Sequence, residues 1–172
     1  ATAAAAVALH LGVPFETVRE AVAAFRGARR RFEPVGEARG ITVMDDYAHH
    51  PTEVRALIAT ARAAFPGRRL IGIYQPHTYS RIAYLWDDWL TCFAGLDALV
   101  VVETYAAREA PEAGRSAADL AAAVTEPPAR YAADFDSAVR LALETARPGD
   151  VVFTIGAGDV NDVGPRLLEA LR

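Results

Sequence analysis

Residues 41–65 read ITVMDDYAHHPTEVRALIATARAAF, and this stretch decides the fold class. It opens with a short aliphatic and β-branched run, of the kind that is buried in parallel sheets. After a polar junction, Pro51 suits the first position of a helix. From there the apolar residues fall on one helical stripe: Val54, Leu57, Ile58, Ala61 and Phe65. The stretch therefore predicts a strand followed directly by a helix.

The same alternation extends along most of the chain. We predict strands at 41–45, 69–74, 97–103 and 150–155, with a possible edge strand at 31–37. Helical patterns occupy 51–65, 80–93, 116–124, 134–146 and 159–171. Residues 104–132 read mostly as loops, with a short strand possible near Tyr131. Strands that alternate with helices predict an α/β fold, with a mostly parallel sheet flanked by helices and a Rossmann-like character.

The first residues have a different pattern. Two short helices are predicted at 2–11 and 15–26, joined by Gly12-Val13-Pro14. The strand and helix alternation begins only after Gly27. We therefore expect a short helical preface over 1–28 and a separate α/β domain over 29–172.

Composition excludes several classes of protein. The chain has 172 residues, is 52% hydrophobic and carries a net charge of −4, which suits a packed globular protein rather than a nucleic-acid binder. No apolar run is long enough to span a membrane, and no secretory signal is present, so we expect a cytoplasmic protein without membrane contact. The single cysteine, Cys92, lies in an apolar stretch and is expected to be a packed thiol.

All 18 positively charged side chains are arginine. A phosphate-binding loop of the Walker type needs a lysine that reaches the outer phosphates, and this chain has none. Catalysis by a Schiff-base lysine is excluded for the same reason.

Polar residues gather where the predicted strands end, which is where open α/β sheets bind ligands. Four such junctions occur, at 45–51, 75–81, 103–109 and 156–159. The pleat of a strand points consecutive side chains to opposite faces, so Asp45 and Asp46 are expected to have different partners. The helix that starts at Pro51 adds an N-terminus, which attracts anions.

Structural explanations compete with functional ones at these junctions. Asp46, His49 and His50 would commonly serve turn formation and helix capping. The same residues could instead hold a metal in a hydrolase, but no recognisable metal motif accompanies them, and we expect no metal site. Arg81 could simply be solvated on a helix. Among Arg29, Arg30 and Arg31, two are expected at the surface and one to point inward, toward phosphate.

Taken in order, five segments resemble the Mur ligases that join L-alanine to UDP-N-acetylmuramate. They are Arg30-Arg31-Phe32-Glu33, residues 45–53 (DDYAHHPTE), Gln75-Pro76-His77 with Tyr79-Ser80-Arg81, Tyr105-Ala106-Ala107 with Glu109-Ala110-Pro111, and Gly156-Ala157-Gly158-Asp159. The resemblance covers the whole chain. It implies that 1–28 is the tail of a central ATPase domain and that 29–172 is the carboxy-terminal domain of the ligase.

In that family ATP phosphorylates the muramyl carboxylate, the amine of L-alanine attacks the acyl phosphate, and the third domain closes over the site. The resemblance implies that Arg31 reaches the ATP phosphates and Asp46 the ribose, with Arg31 and His49 serving catalysis. Tyr47, His49 and Arg81 would contact the amino acid or the reacting phosphate. Weaker candidates for substrate or supporting contacts are His50, His77, Tyr105 and Glu109.

The partners implied are ATP, UDP-N-acetylmuramate, L-alanine and the two preceding domains, with Mg²⁺ held mainly by those domains. A fragment without a phosphate loop is expected to be inactive and to bind no cofactor tightly. Some family members have arginine where this chain has Thr78, which leaves Arg81 to hold an amino-acid carboxylate alone. Two alternatives stay open: a ligase that recycles a murein tripeptide, and a non-catalytic binding module that kept the fold.

Overall fold

The computed structural model describes residues 2–25, 27–110 and 115–172, so Arg26 and Pro111 of the segments above lie outside it. Six strands in the described chain form one sheet in the order β1-β2-β6-β3-β4-β5. Their bounds are β1 Glu33–Ala38, β2 Ile41–Asp46, β3 Leu70–Tyr74, β4 Ala98–Val102, β5 Ala129–Ala132 and β6 Val151–Ile155.

Strand direction agrees with the predicted class. The pairs β2·β6, β6·β3, β3·β4 and β4·β5 are parallel, and only the edge strand β1 runs antiparallel to its neighbour. The predicted edge strand and the short strand near Tyr131 are both present, as β1 and β5. A mostly parallel sheet is therefore confirmed.

Helices cover both faces of this sheet. Their bounds are α1 Thr2–His10, α2 Phe15–Ala24, α3 Pro51–Ala64, α4 Tyr79–Tyr84, α5 Trp86–Trp89, α6 Ala117–Ala123, α7 Phe135–Thr145 and α8 Val163–Ala170. One apolar cluster joins the sheet to α3, α5 and α6, and a second joins the opposite face to α7 and α8. Strand β3 has no exposed residue, because it is covered on both sides.

The residues after β3 depart from the single helix predicted at 80–93. Leu85 leaves the helical conformation, with φ −108° and ψ 25°, and separates α4 from the short α5. The break accompanies the burial of two rings, since Trp89 and Phe93 each lie 5.1 Å from the ring of Tyr74. Cys92 is buried beside them as expected, and burial raises the pKa of its thiol to about 12.

The last predicted helix also starts differently. A short 3-10 turn, Val160–Asp162, precedes α8, so the α-helix begins four residues later than the pattern at 159–171 indicates. The Val160 backbone N–H donates to the side-chain oxygen of Gln75 at 3.1 Å. A side chain of the neighbouring strand end therefore holds this turn, which spacing along the chain cannot predict.

Helices α1 and α2 pack chiefly on each other and expose apolar side chains. A cavity of about 340 Å³ lies between them and is lined almost entirely by apolar residues, including Ala4, Val18 and Phe25. Large side chains remain exposed on the pair: Val7, Leu9, Leu11, Phe15, Val22 and Phe25. The predicted preface is therefore helical, and its apolar surface is not covered by the described chain.

Candidate functional site

The carboxyl ends of β2, β6, β3 and β4 lie side by side on one edge of the sheet, because these strands are parallel neighbours. This arrangement brings together the four polar junctions that sequence alone leaves separate. The candidate site residues from 46 to 109 follow these strands, and Arg31 joins them from the segment before β1.

Arg30 points inward but toward protein groups, not toward an open phosphate site as expected for one arginine of this cluster. Its Nε donates to Asp45 at 2.9 Å, and its two terminal nitrogens donate to the carbonyls of Gly158 at 2.9 Å and Gly156 at 2.7 Å. Asp45 is buried and also accepts the Thr154 hydroxyl at 2.6 Å. Arg30 therefore ties the start of the domain to the ends of β2 and β6, a structural role that the sequence motif did not reveal.

Arg31 has few protein partners and faces the site. Its guanidinium lies 5.4 Å from the centre of the Tyr47 ring, and one of its nitrogens is 4.0 Å from the Glu53 carboxylate. It lines a cavity of about 320 Å³ together with Asp46 and Glu53. This half-exposed cation is available for an anionic ligand.

Asp46 lines the same cavity and is nearly buried. Its carboxylate accepts the backbone N–H groups of Phe32 at 2.8 Å and Ala48 at 2.9 Å. Burial raises the pKa of this carboxyl, although both backbone hydrogen bonds and the charge of Arg31 oppose the shift. As predicted, Asp45 and Asp46 have different partners: one completes an internal ion pair and the other borders a cavity.

His49 is held by acceptors on one side of its ring. Its Nδ1 lies 3.0 Å from the carbonyl oxygen of Tyr47 and 3.3 Å from the carboxylate of Glu53. Glu53 also accepts the His49 backbone N–H at 2.9 Å. Sequence reasoning did not single out Glu53, yet its position three residues after His50 matches the spacing of a helix capping box.

His50 is the N-cap of α3. Its Nδ1 accepts the backbone N–H of Thr52 at 3.3 Å, so the helix-capping explanation holds for this ring. His50 also lines a cavity of about 570 Å³ with Ser80, Arg81 and Tyr84. His50 therefore caps α3 and also lines the cavity that contains Arg81.

Arg81 and His77 are in contact. A guanidinium nitrogen of Arg81 donates to the His77 carbonyl and lies 3.4 Å from its Nδ1. Burial, and then the charge of Arg81, lower the pKa of His77 below its usual 6.5, so the ring is neutral near pH 7.

His77 stacks on Tyr105, with ring centres 5.3 Å apart and planes 10° apart, and lies 6.2 Å from the His49 ring. Tyr47, His49, His77 and Tyr105 thus form a row of rings along the edge, since Tyr47 and His49 are also 5.3 Å apart.

Glu109 accepts hydrogen bonds from residues at the start of α4. Its carboxylate accepts the Thr78 hydroxyl at 2.6 Å, the Ser80 hydroxyl at 2.5 Å and the Ser80 backbone N–H at 2.9 Å. These hydrogen bonds lower its pKa from 4.5 to about 2. Glu109 therefore fastens the loop after β4 to the helix that carries Arg81, and Thr78 serves this connection.

Gln75 fastens the neighbouring junction. Its amide nitrogen donates to Asp159 at 2.8 Å, while its oxygen holds the turn at Val160. Gly158 allows this approach, because a Cβ there would lie 2.4 Å from the Gln75 side-chain oxygen and 2.7 Å from the Tyr105 ring. The sequence motif at 75–81 includes Gln75, but its partners Asp159 and Val160 are seen only in the structure.

The residues that the structure describes, 2–25, 27–110 and 115–172, carry neither a metal cluster nor a membrane span. No group of three or more His, Cys, Asp or Glu side chains among them is arranged to hold a metal ion. Over the same residues, no helix has both the length and the apolar character needed to cross a membrane.

Comparison with known proteins identifies relatives of this arrangement. Residues 30–158 match the family model of the Mur ligase, glutamate ligase domain. A UDP-N-acetylmuramate–L-alanine ligase of Cereibacter sphaeroides is 48% identical over 164 residues, which is 94% of this chain and 35% of that protein. The chain thus spans about a third of the length of the curated relatives it matches.

Solved structures share the fold. The crystal structure of a UDP-N-acetylmuramate–alanine ligase from Thermotoga maritima is 27% identical, with a TM-score of 0.76 over 96% of this chain and 35% of that one. A murein peptide ligase from Psychrobacter arcticus is 25% identical, with a TM-score of 0.71 over 98% of this chain and 35% of that one.

Proposed function

Because the chain belongs to the Mur ligase family, we propose that it is the carboxy-terminal domain of an ATP-dependent ligase that joins L-alanine to UDP-N-acetylmuramate. Relatives that carry this name match it over nearly its whole length. The activity requires the rest of such a protein, since this chain corresponds to about a third of it. The product would be a peptidoglycan precursor.

One observation carries the proposal: residues at the carboxyl edge of the sheet line two cavities, and each cavity contains an arginine. Arg31 and Asp46 line the first, and His50 and Arg81 line the second. The rings of Tyr47, His49 and His77 contact one another in turn, with centres 5.3 Å and then 6.2 Å apart. An arginine beside each cavity suits a reaction in which a phosphate and a carboxylate must be held at once.

The first cavity suits the nucleotide. Arg31 would contact the ATP phosphates, where its charge stabilises the negative charge that develops during phosphoryl transfer. Asp46 would accept a hydroxyl of the ribose, and its backbone hydrogen bonds hold the carboxylate ready for this contact. The domain then contributes positioning and charge when it closes on its partners.

The second cavity suits the amino acid. Arg81 would bind its carboxylate, helped by His50, while Tyr47 and His49 approach the amine or the reacting phosphate. His77 and Tyr105 would form the wall behind Arg81, where the stacked pair limits its movement. Glu109 would act indirectly, because its oxygens already accept from Thr78 and Ser80.

The helical preface would belong to the preceding domain. We place the boundary near residue 28: the family match starts at residue 30, and the apolar side chains of α1 and α2 are exposed. By the resemblance to the ligases, Mg²⁺ would be held mainly by the preceding domains of such a protein. No step assigned to this chain uses the metal.

The isolated chain would be inactive. It contains no lysine for a phosphate-binding loop, and one wall of each cavity would come from another domain. We expect millimolar or weaker affinity for ATP in calorimetry, because the walls of the site that the other domains would supply are missing. Submicromolar binding of ATP by this chain alone would contradict the proposal.

The direct test measures phosphate release by this chain fused to the two upstream domains, with ATP, Mg²⁺, UDP-N-acetylmuramate and L-alanine. We expect release that depends on L-alanine and is lost in Arg31→Ala and in Asp46→Ala. Arg29→Ala is the matched control, because Arg29 is an exposed neighbour in the same cluster. Arg29→Ala should release phosphate at the rate of the unmodified protein.

A second candidate acceptor follows from the similarity to a murein peptide ligase. The same assay with a murein tripeptide in place of L-alanine distinguishes the two. Release with the tripeptide alone would reassign the domain to peptide recycling. Absence of release with both acceptors would favour a binding module that lacks catalysis.

A further inference from the structure

Glu53 and His49 form a carboxylate–imidazole pair at the edge of the first cavity. Both oxygens near Nδ1 of His49, the Tyr47 carbonyl and the Glu53 carboxylate, can only accept a hydrogen bond. Nδ1 must therefore carry the hydrogen and donate. In the neutral ring this leaves the lone pair on Nε2, and no described residue donates a hydrogen bond to that nitrogen.

We propose that Glu53 is a positioning residue that makes His49 the acceptor of a proton from the incoming ammonium group. The proposal rests on the ligase function above and assigns one step within it. Glu53 orients the ring through Nδ1, and its negative charge stabilises the imidazolium that forms when Nε2 takes the proton. This is the relation between a base and the group that orients it in acid–base catalysis generally.

The proton balance explains why the step is needed. An amino acid arrives as an ammonium ion, whose nitrogen has no free electron pair. Nε2 of His49 removes one proton, and the freed pair attacks the carbonyl carbon of the acyl phosphate to form the C–N bond. The bond between that carbon and the phosphate oxygen then breaks. The second proton leaves the nitrogen for the departing phosphate, and the imidazolium returns its proton to water.

The surroundings of His49 agree with this role. The groups that face the pair are Tyr47 on the same loop, Arg31 at 4.0 Å from Glu53, and His77, whose ring lies 6.2 Å from the His49 ring. His77 in turn contacts Tyr105 and Arg81. His77 therefore lies between the His49 ring and Arg81, which is proposed to hold the amino-acid carboxylate. Partial burial opposes ionisation of Glu53, but the backbone N–H of His49 and the charge of Arg31 lower its pKa, so the carboxylate is ionised at neutral pH.

Hydroxylamine separates this step from the rest of the reaction. It is largely unprotonated near pH 7, so it can attack an acyl phosphate without a base. We would compare Glu53→Gln with the unmodified full-length protein, using L-alanine or hydroxylamine as acceptor. We expect the rate with L-alanine to fall on the order of 100-fold and the rate of hydroxamate formation to stay within about threefold.

Matched variants complete the test. Glu53→Asp keeps the charge and should recover part of the L-alanine rate, whereas Glu169→Gln, an exposed change on α8, should match the unmodified protein. Combining Glu53→Gln with His49→Gln should add little to either single loss, because the two residues act as a unit.

Other outcomes overturn the inference. If Glu53 only caps α3 or only supports Arg31, the rates with both acceptors fall together, and in the second case the KM for ATP rises. Absence of hydroxamate in the unmodified protein would instead count against the proposed ligase function. The two failures are therefore distinguishable.

Discussion

The guanidinium of Arg30 donates to the buried carboxylate of Asp45 at 2.9 Å, whereas the next residue, Arg31, faces a cavity and only approaches Glu53. Adjacent residues of the same type therefore have separate roles. One holds two strand ends together, and the other remains available to a ligand. Substitution of each should separate stability from activity.

We expect Arg30→Ala to lower the free energy of unfolding by about 3 kcal/mol, because it leaves the Asp45 carboxylate buried without its cation. Arg31→Ala should change stability by less than about 0.5 kcal/mol, since its contacts are long and half-exposed. Urea unfolding of this chain measures both values. Equal destabilisation by the two changes would show that the distinction is wrong.

Gly158 offers a second test of the site's packing. A Cβ there would meet Gln75 and Tyr105 at less than 3.0 Å, so Gly158→Ala should cost roughly 1–3 kcal/mol through forced movement of these side chains. Gly164→Ala is the control. Its Cβ would meet Val35 and Val43 at 3.5 Å, an ordinary contact, and alanine favours the helix by up to about 1 kcal/mol. Thermal unfolding should therefore move in opposite directions for the two variants.

The sheet could be predicted from sequence because its signals are local. Buried strands such as 69–74 are short aliphatic runs, and Pro51 marks the start of α3. The break at Leu85 was not predicted. It accompanies the packing of Trp89 and Phe93 on Tyr74. These contacts join separate segments of the chain, so the spacing of apolar residues within one helix cannot predict them.

The sequence predicts which residues meet at the site, but not what each of them does there. Parallel strands bring their carboxyl ends to one edge of the sheet, so the residues that follow them lie close together whatever the order of the strands. Which arginine turns inward depends on carbonyls of Gly156 and Gly158, more than a hundred residues away in sequence. The contribution of Glu109 likewise depends on a contact with Ser80 across the loop, so the sequence could suggest the residue without its function.

The pKa of His77 provides a spectroscopic test of the second cavity. Burial lowers it below 6.5, and Arg81 lowers it further, since Nδ1 accepts from a guanidinium that a protonated ring would repel. In a proton–carbon NMR titration of the imidazole signals, we expect His77 to titrate below 6.5 and Arg81→Met to raise its pKa. An unchanged pKa in Arg81→Met would show that the contact does not persist in solution.

The carboxylate of Glu109 should make stability depend on pH in acid. Hydrogen bonds from Ser80 and Thr78 favour its ionised form and lower its pKa from 4.5 to about 2. Its contribution to stability is therefore fully present above pH 4.5 and is lost as the pH falls toward about 2.

Glu109→Gln cannot ionise, so we expect it to have a lower melting temperature than the unmodified chain at pH 7 and a smaller loss of melting temperature between pH 5 and 3. Glu169→Gln, which changes an exposed glutamate on α8, should reproduce the unmodified pH dependence. Parallel curves for Glu109→Gln and the unmodified chain across this range would mean that Glu109 does not hold the start of α4 in solution.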